Sequence, residues 1–284
     1  MPELPEVETI RRGLETAVLN KRISALEVKK HKLLRNKTAY FIDILKNNSI
    51  VSIDRIGKLL IFVLADKQHY LLIHLKMTGQ LIYQDGGDII AGGHNLGFTE
   101  GLPNKYSHII FYFADGSNLF FNDMRQFGYM ELVQDKDIVI DRFGIEPGKK
   151  DFTLKNFKDI FKNRRISIKQ VLLNQKLISG IGNIYADEIC FRAKVLPDRK
   201  VNQLSDEDIK RLFDASKYII EKAVEKRGTT FSDYRDTSGR EGNFVKYLKV
   251  YGRAGKQCLR CRQESIKKVR LGGRGTHFCP NCQK

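Results

Sequence analysis

Two groups of residues in this sequence have types and spacings suited to chemistry, and they lie at opposite ends. Near the C-terminus, Cys258 and Cys261 form one Cys-x2-Cys knuckle and Cys279 and Cys282 a second, with 17 residues between the pairs. Four thiolates so spaced close tetrahedrally on one Zn2+ ion and leave no open position, so the ion is structural. His277 falls inside the ribbon, but four thiolates already saturate zinc and it stays outside the ligand set. Cys190, the fifth cysteine, lies among apolar residues on a predicted helix and reads as core.

The other group opens the chain, MPELPEVETIRRGLE. Removal of Met1 leaves Pro2 as a terminal secondary amine. Such an amine titrates near neutral pH, lower still beside a helix N-terminus, and it can attack an aldehydic carbon such as a sugar C1′ to give an iminium. Glu3 stands beside it as a proton donor or acceptor, and Glu6 is placed to organise the site. Taken alone, this start proves nothing, since many chains carry Pro2 without using it.

A third signal lies between them. In GIGN the glycines precede Asn183, a favoured N-cap residue, and a helix follows; the free N–H groups of such a start bind anions. A plain interhelical turn would look the same. Arg164, Arg165 and Lys169 lie just upstream, and a helix-turn-helix with basic flanks fits a DNA backbone.

The elements that position these residues follow from patterning. Val7, Ile10, Leu14 and Val18 recur at helical spacing, with Pro5 in the first turn, which predicts a helix starting just after Glu3. From about Ser24 to Val133 the runs SIVSIDRI, KLLIFVL, HYLLIHLKM, HIIFYFA and NLFFNDM read as strands of a sandwich or barrel. Residues 85–104 read as a long Gly-rich loop. Helical periodicity takes over after RFGIEPGKKDF: IKQVLLNQKL is one helix, IYADEICFRAKV the next, and Ser205 with Asp208 caps a third. Between the knuckles, SIKKVRLGGRGTHF gives two short strands joined at Gly272 and Gly273, with Lys267, Lys268, Arg270 and Arg274 forming a basic surface.

Composition narrows the partners. Fifty Lys plus Arg against 33 Asp plus Glu give a formal charge of +17, which suits a polyanion or, equally, a well-solvated basic protein. No apolar run is long enough to span a bilayer and no signal peptide is visible, so a cytoplasmic location is expected, where cysteines favour metal over disulfides.

Taken together, MPELPEVETIRRGLE, GKLLIF, HLKMTG, DMRQFG, IKQVLLNQKLISGIGNIYADE and the cysteine ribbon with GRGTHFC resemble the bacterial formamidopyrimidine-DNA glycosylase family, in the same order along nearly the whole chain. The resemblance implies an α+β multidomain fold: an N-terminal β-sandwich with a flanking helix (1–145), a helix-two-turn-helix DNA-binding domain (150–249) and a C-terminal zinc-bound β-hairpin (250–284). It implies a base-excision repair enzyme, working as a monomer on double-stranded DNA, that removes oxidised purines such as 8-oxoguanine and formamidopyrimidines and then cuts the strand by β,δ-elimination. Pro2 becomes the nucleophile, Glu3 the proton shuttle, Lys58 the proton donor for β-elimination and Arg274 the phosphate contact for δ-elimination.

An enzyme of this kind must rotate the damaged nucleotide out of the duplex and fill the gap. The resemblance assigns that filling to Met77, Arg125 and Phe127, of which Met77 and Phe127 would otherwise read as core. Arg165, Lys169 and Asn183 become backbone contacts. Where the family often has a histidine, this chain has Lys105, Tyr106 and Ser107, so that contact passes to Tyr106 or is lost. Arg227 replaces a family glycine in RGTT, ahead of a segment to Asn243 expected to close over the flipped base. Two alternatives stay open on sequence: an endonuclease VIII-like enzyme for oxidised pyrimidines, or a non-catalytic zinc-containing DNA-binding protein.

Overall fold

The computed structural model describes residues 1–93, 101–229 and 244–284. Two compact units emerge, one of Met1–Asp141 with Lys226–Asn243 and one of Arg142–Glu225 with Phe244–Lys284.

In the first unit the chain begins with helix α1 (Leu4–Val18), where Pro5 suits the first turn and Val7, Ile10 and Leu14 bury one stripe. Strand β1 (Ile23–Val28) follows, then helix α2 (Thr38–Leu45) and strands β2 (Ile50–Ile56), β3 (Leu59–Leu64), β4 (Tyr70–His74), β5 (Gly79–Asp85), β6 (Asp88–Gly93), β7 (Ser107–Phe113), β8 (Asn118–Asp123) and β9 (Tyr129–Val133), with short helix α3 (Asp137–Ile140). The strands form two sheets, in the orders β1-β7-β8-β5-β6 and β2-β3-β4-β9, antiparallel at every strand pair. One core holds Ile10 and Leu14 of α1, Phe41 and Leu45 of α2, Phe62 and Ile73 of one sheet, and Ile109, Phe111 and Phe121 of the other. Ile110 and Phe120, one residue out of step, pack together in a separate small cluster, as the two-residue period of a strand requires.

Two expectations are corrected here. The stretch between β1 and β2 is not all strand: TAYFIDIL forms α2, which buries Phe41 and Leu45. The Gly-rich stretch is not all loop either, because Asp88–Gly93 pairs with β5 as β6. Residues 94–100 lie outside the described residues.

The second unit holds helices α4 (Leu154–Phe161), α5 (Ile168–Leu173), α6 (Asn183–Ala193) and α7 (Asp206–Glu225), and the hairpin of β10 (Lys267–Leu271) and β11 (Arg274–Phe278). IKQVLLNQKL is shorter as a helix than expected: α5 ends at Leu173, its last N–H bond being made by Asn174. Ser205 and Asp208 exchange backbone-to-side-chain bonds of 3.1 Å each way, the capping box read from the sequence. The hairpin is not a free-standing module, because Cys258 and Cys279 share a core with Phe191 of α6, Val250 and Ile266.

Candidate DNA-processing site

The amino terminus is built from a capped helix start. Pro2 and Glu3 are buried, Glu3 at 2% exposure, and the Glu6 carboxylate accepts the Glu3 N–H at 2.9 Å. The other oxygen of Glu6 accepts the N–H and hydroxyl of Thr229 at 2.7 and 3.0 Å. Glu6 therefore ties the amino terminus to the segment carrying Arg227. Gly228 permits this contact: at φ +82° a side chain there is strained, and its Cβ would lie 2.6 Å from Glu6 Oε1. Arg227 itself sits at φ +61°, a conformation that suits the glycine expected at this place. Residues 230–243 of the expected closing segment lie outside the described residues.

Lys58 occupies the β2–β3 turn, directly after Gly57 at φ +55°, and is 7% exposed. Burial lowers the pKa of the chain's terminal amine; Glu3 and Glu6 oppose the shift and Lys58 adds to it. Beneath this turn Arg55 bonds Gly57 O at 2.8 Å and Glu8 Oε2 at 3.1 Å. Burial alone would raise Glu8, but hydrogen bonds from Arg11, Arg12 and Arg55 hold it down to about 2.

His74, which the sequence reading passed over, belongs to this group. Its Nδ1 accepts the Lys76 N–H at 3.0 Å, so the neutral ring carries its proton on Nε2. Burial first, then Lys76, Lys58 and Arg35, push its pKa down to about 3. The result is a fixed neutral donor beside cations, and its place at the head of HLKMTG was the available signal.

Two loops carry Met77, Arg125 and Phe127. Buried Asp123 holds both: Thr78 Oγ1 donates to one oxygen, which also accepts the Arg125 N–H at 3.1 Å, and Gly128 N–H reaches the other at 2.7 Å. Gly79 and Gly128 are fixed by close approach, since a Cβ would meet Leu75 O at 2.5 Å and Phe121 Cζ at 2.7 Å respectively. On this frame Met77 is 38% and Phe127 52% exposed. Arg125 spans them, with Nη1 3.0 Å from the Met77 sulfur and its guanidinium 4.7 Å from the Phe127 ring centroid. Two large apolar side chains around one arginine thus form an exposed patch on a hydrogen-bonded support. Tyr106 is half-buried beside this frame, its carbonyl accepting the Asp123 N–H at 3.1 Å.

In the second unit the four ribbon cysteines place their sulfurs within 4.8 Å of one another. Cys258–Cys282 and Cys261–Cys279 sulfur distances are 3.8 and 3.7 Å, matching the edge of about 3.8 Å that a tetrahedron with Zn–S bonds of about 2.3 Å requires. The residues fit one structural Zn2+. His277 donates to Asp187 instead, through its backbone N–H and Nδ1 at 2.8 and 3.0 Å. Gly272 and Gly273, at φ +54° and +78°, make the hairpin turn that the sequence predicts, and Arg274 follows it, exposed like Lys267, Lys268 and Arg270.

Two expected backbone contacts are relocated. Lys169 is 1% exposed and spends its ammonium on Asp187 Oδ1, Gly275 O and Thr276 Oγ1 at 2.6, 3.0 and 2.9 Å. It clamps the zinc hairpin to the helices, its ammonium buried among these three internal partners. Asn183 is the first residue of α6, Gly182 being the N-cap, and its amide donates to Gly275 O at 3.0 Å. The side-chain amide of Asn183 is thus committed within the protein, and the groups left at the start of α6 to meet an anion would be backbone N–H groups. Arg165 remains exposed.

A sandwich with a buried Pro-Glu terminus, and a helical unit ending in a four-cysteine hairpin that fits zinc, correspond part for part to the domains of one DNA glycosylase family. The formamidopyrimidine-DNA glycosylase N-terminal domain matches residues 1–130, the formamidopyrimidine-DNA glycosylase H2TH domain 143–235, and the zinc finger found in FPG and IleRS 255–284. A formamidopyrimidine-DNA glycosylase of Streptococcus pneumoniae is 38% identical over 288 residues, covering 100% of this chain and 99% of its own. That of Listeria monocytogenes is 40% identical over 289 residues, covering 100% of both. The Lactococcus lactis Fpg in complex with DNA containing an abasic site superposes with a TM-score of 0.87 at 33% identity over 99% of both chains. A mutant of that protein with DNA containing Fapy-dG gives 0.87 at 34% over 100% of both. The chain belongs to the formamidopyrimidine-DNA glycosylase family. Among the described residues no helix is long and apolar enough to cross a membrane.

Proposed function

We propose that this chain is a bifunctional DNA glycosylase and abasic-site lyase of base excision repair, acting on oxidised purines in double-stranded DNA as a monomer at the bacterial nucleoid. One observation carries the reading: the buried Pro2-Glu3 terminus beside Lys58 belongs to the same unit as the exposed Met77, Arg125 and Phe127.

The sequence of events follows from these groups. Met77, Arg125 and Phe127 occupy the space vacated by the rotated nucleotide, and Arg125 bonds the base left opposite, offsetting an unstacking cost of about a few kcal/mol. The Pro2 lone pair attacks C1′ as the bond to the damaged base breaks. The departing base takes a proton, and ring opening gives the iminium. Glu3 moves protons at the sugar, Lys58 assists loss of the 3′-phosphate by β-elimination, and Arg274 holds the phosphate released by δ-elimination. Tyr106 and Arg165 contact the backbone, with the N–H groups at the start of α6. Zinc supplies no step; it fixes the hairpin that carries Arg274.

Comparing strand cleavage of 8-oxoguanine:C and thymine glycol duplexes tests the substrate class. Faster cutting of 8-oxoguanine is expected; faster cutting of the pyrimidine lesion contradicts it.

A further inference from the structure

The chain has four methionines, and burial separates them. Met130 is fully buried in β9, whereas Met77 and Met124 are 38% and 42% exposed. Met77 alone holds its thioether against the guanidinium of Arg125, 3.0 Å away. A thioether is a weak acceptor, so Arg125 gives up this contact readily when a base is offered. The sulfoxide of methionine would present a polar oxygen at the same place.

We propose that Met77 is an oxidation site, and that a hydroperoxide disarms the enzyme there by converting the thioether to a sulfoxide. A sulfur lone pair attacks one peroxide oxygen, the S–O bond forming as the O–O bond breaks. The leaving hydroxide takes the proton lost by the transferred oxygen, and water departs. Sulfur loses two electrons and the peroxide gains them, so no further reactant is needed. Two consequences follow. The apolar chain that fills the vacated nucleotide space becomes polar and chiral. The new oxygen also offers Arg125 a charge-assisted hydrogen bond, which competes with the orphaned base for the same guanidinium. Peroxide accumulates under the same oxidative conditions that give rise to oxidised purines, so the enzyme would be restrained while its substrate is being formed. The inference rests on the proposed wedge role of Met77.

The test uses zinc-loaded enzyme treated with hydrogen peroxide, quenched with catalase and mapped by mass spectrometry. Aliquots are assayed on an 8-oxoguanine:C duplex and on a single-stranded oligonucleotide carrying a preformed abasic site, which needs no eviction. Met77 should oxidise at least about tenfold faster than Met130, and duplex excision should fall about tenfold in step with it, while abasic cleavage stays within about twofold. Methionine sulfoxide reductases of both stereospecificities should restore excision. Met124→Leu should lose excision as the parent does, and Met77→Leu should keep its own starting rate. Inactivation that the reductases do not reverse, or that proceeds equally in Met77→Leu, would overturn the proposal and point to the zinc thiolates, whose metal content is followed in parallel. Undiminished duplex excision with Met77 fully oxidised would also overturn it. A separate result, untreated Met77→Ala excising at the parent rate, would refute the wedge role itself.

Discussion

Lys169 and Asp187 form a fully buried ion pair, Nζ to Oδ1 at 2.6 Å, with side chains 1% and 0% exposed. The second oxygen of Asp187 takes both donors of His277 on β11, and Lys169 reaches Gly275 and Thr276. Helices α5 and α6 thereby hold the strand that begins with Arg274. Removing one partner leaves an uncompensated buried charge, which costs about 3–5 kcal/mol. Lys169→Met should therefore lower the urea unfolding free energy by about that much and weaken duplex binding, while Lys169→Met with Asp187→Leu should recover part of the stability. A Lys169→Met protein as stable as the parent would contradict the clamp.

Zinc fixes the same hairpin from its other end. Cys279→Ser, or chelation, should abolish duplex binding while the N-terminal sheets stay folded, because the core of the first unit contains no cysteine. Hydrogen exchange of β3 and β8 amides, read beside a binding titration, checks both halves. Unchanged affinity would rule this out.

Gly228 is the hinge of the contact between Glu6 and Thr229. Gly228→Ala places a Cβ against Glu6 Oε1 in a left-handed backbone, a strain of about 1–2 kcal/mol. Stability should drop by that amount and excision should fall with it, as Glu6 is displaced from Glu3. A variant with parent stability and rate would show that Glu6 does not organise the terminus.

The His74 pKa is depressed, so the unfolded chain binds its proton first. Stability is full above about pH 6.5, the ordinary value of the ring, and falls as pH drops toward about 3. Buried His108, also depressed chiefly by burial, acts with the same sign, and Glu8 joins only below the ordinary carboxyl value of 4.5, losing its contribution toward about 2. His74→Gln should remove about 1–2 kcal/mol of the stability loss between pH 6.5 and 5. An unchanged slope would mean the ring is not held neutral.

How legible all this was depended on whether a residue's partners lie nearby in sequence. The cysteine knuckles, the Gly272-Gly273 turn, the Ser205 cap and the start of α1 are local patterns, and each stands where its spacing put it. Helix α2 was hidden because TAYFIDIL is rich in β-formers, and only packing of Phe41 and Leu45 into the shared core makes it helical. The burial of Lys169 was invisible because its partners lie 18 and 107 positions away. Met77 and Phe127 read as core by hydrophobicity, and their exposure follows from the Asp123 frame that fixes the loops.

The most direct measurement is borohydride reduction of the enzyme while it processes an 8-oxoguanine duplex, followed by peptide mapping of the trapped complex. The DNA remnant should sit on the nitrogen of Pro2 in chains lacking Met1. A remnant on a lysine, or active enzyme that still carries Met1, would contradict the account.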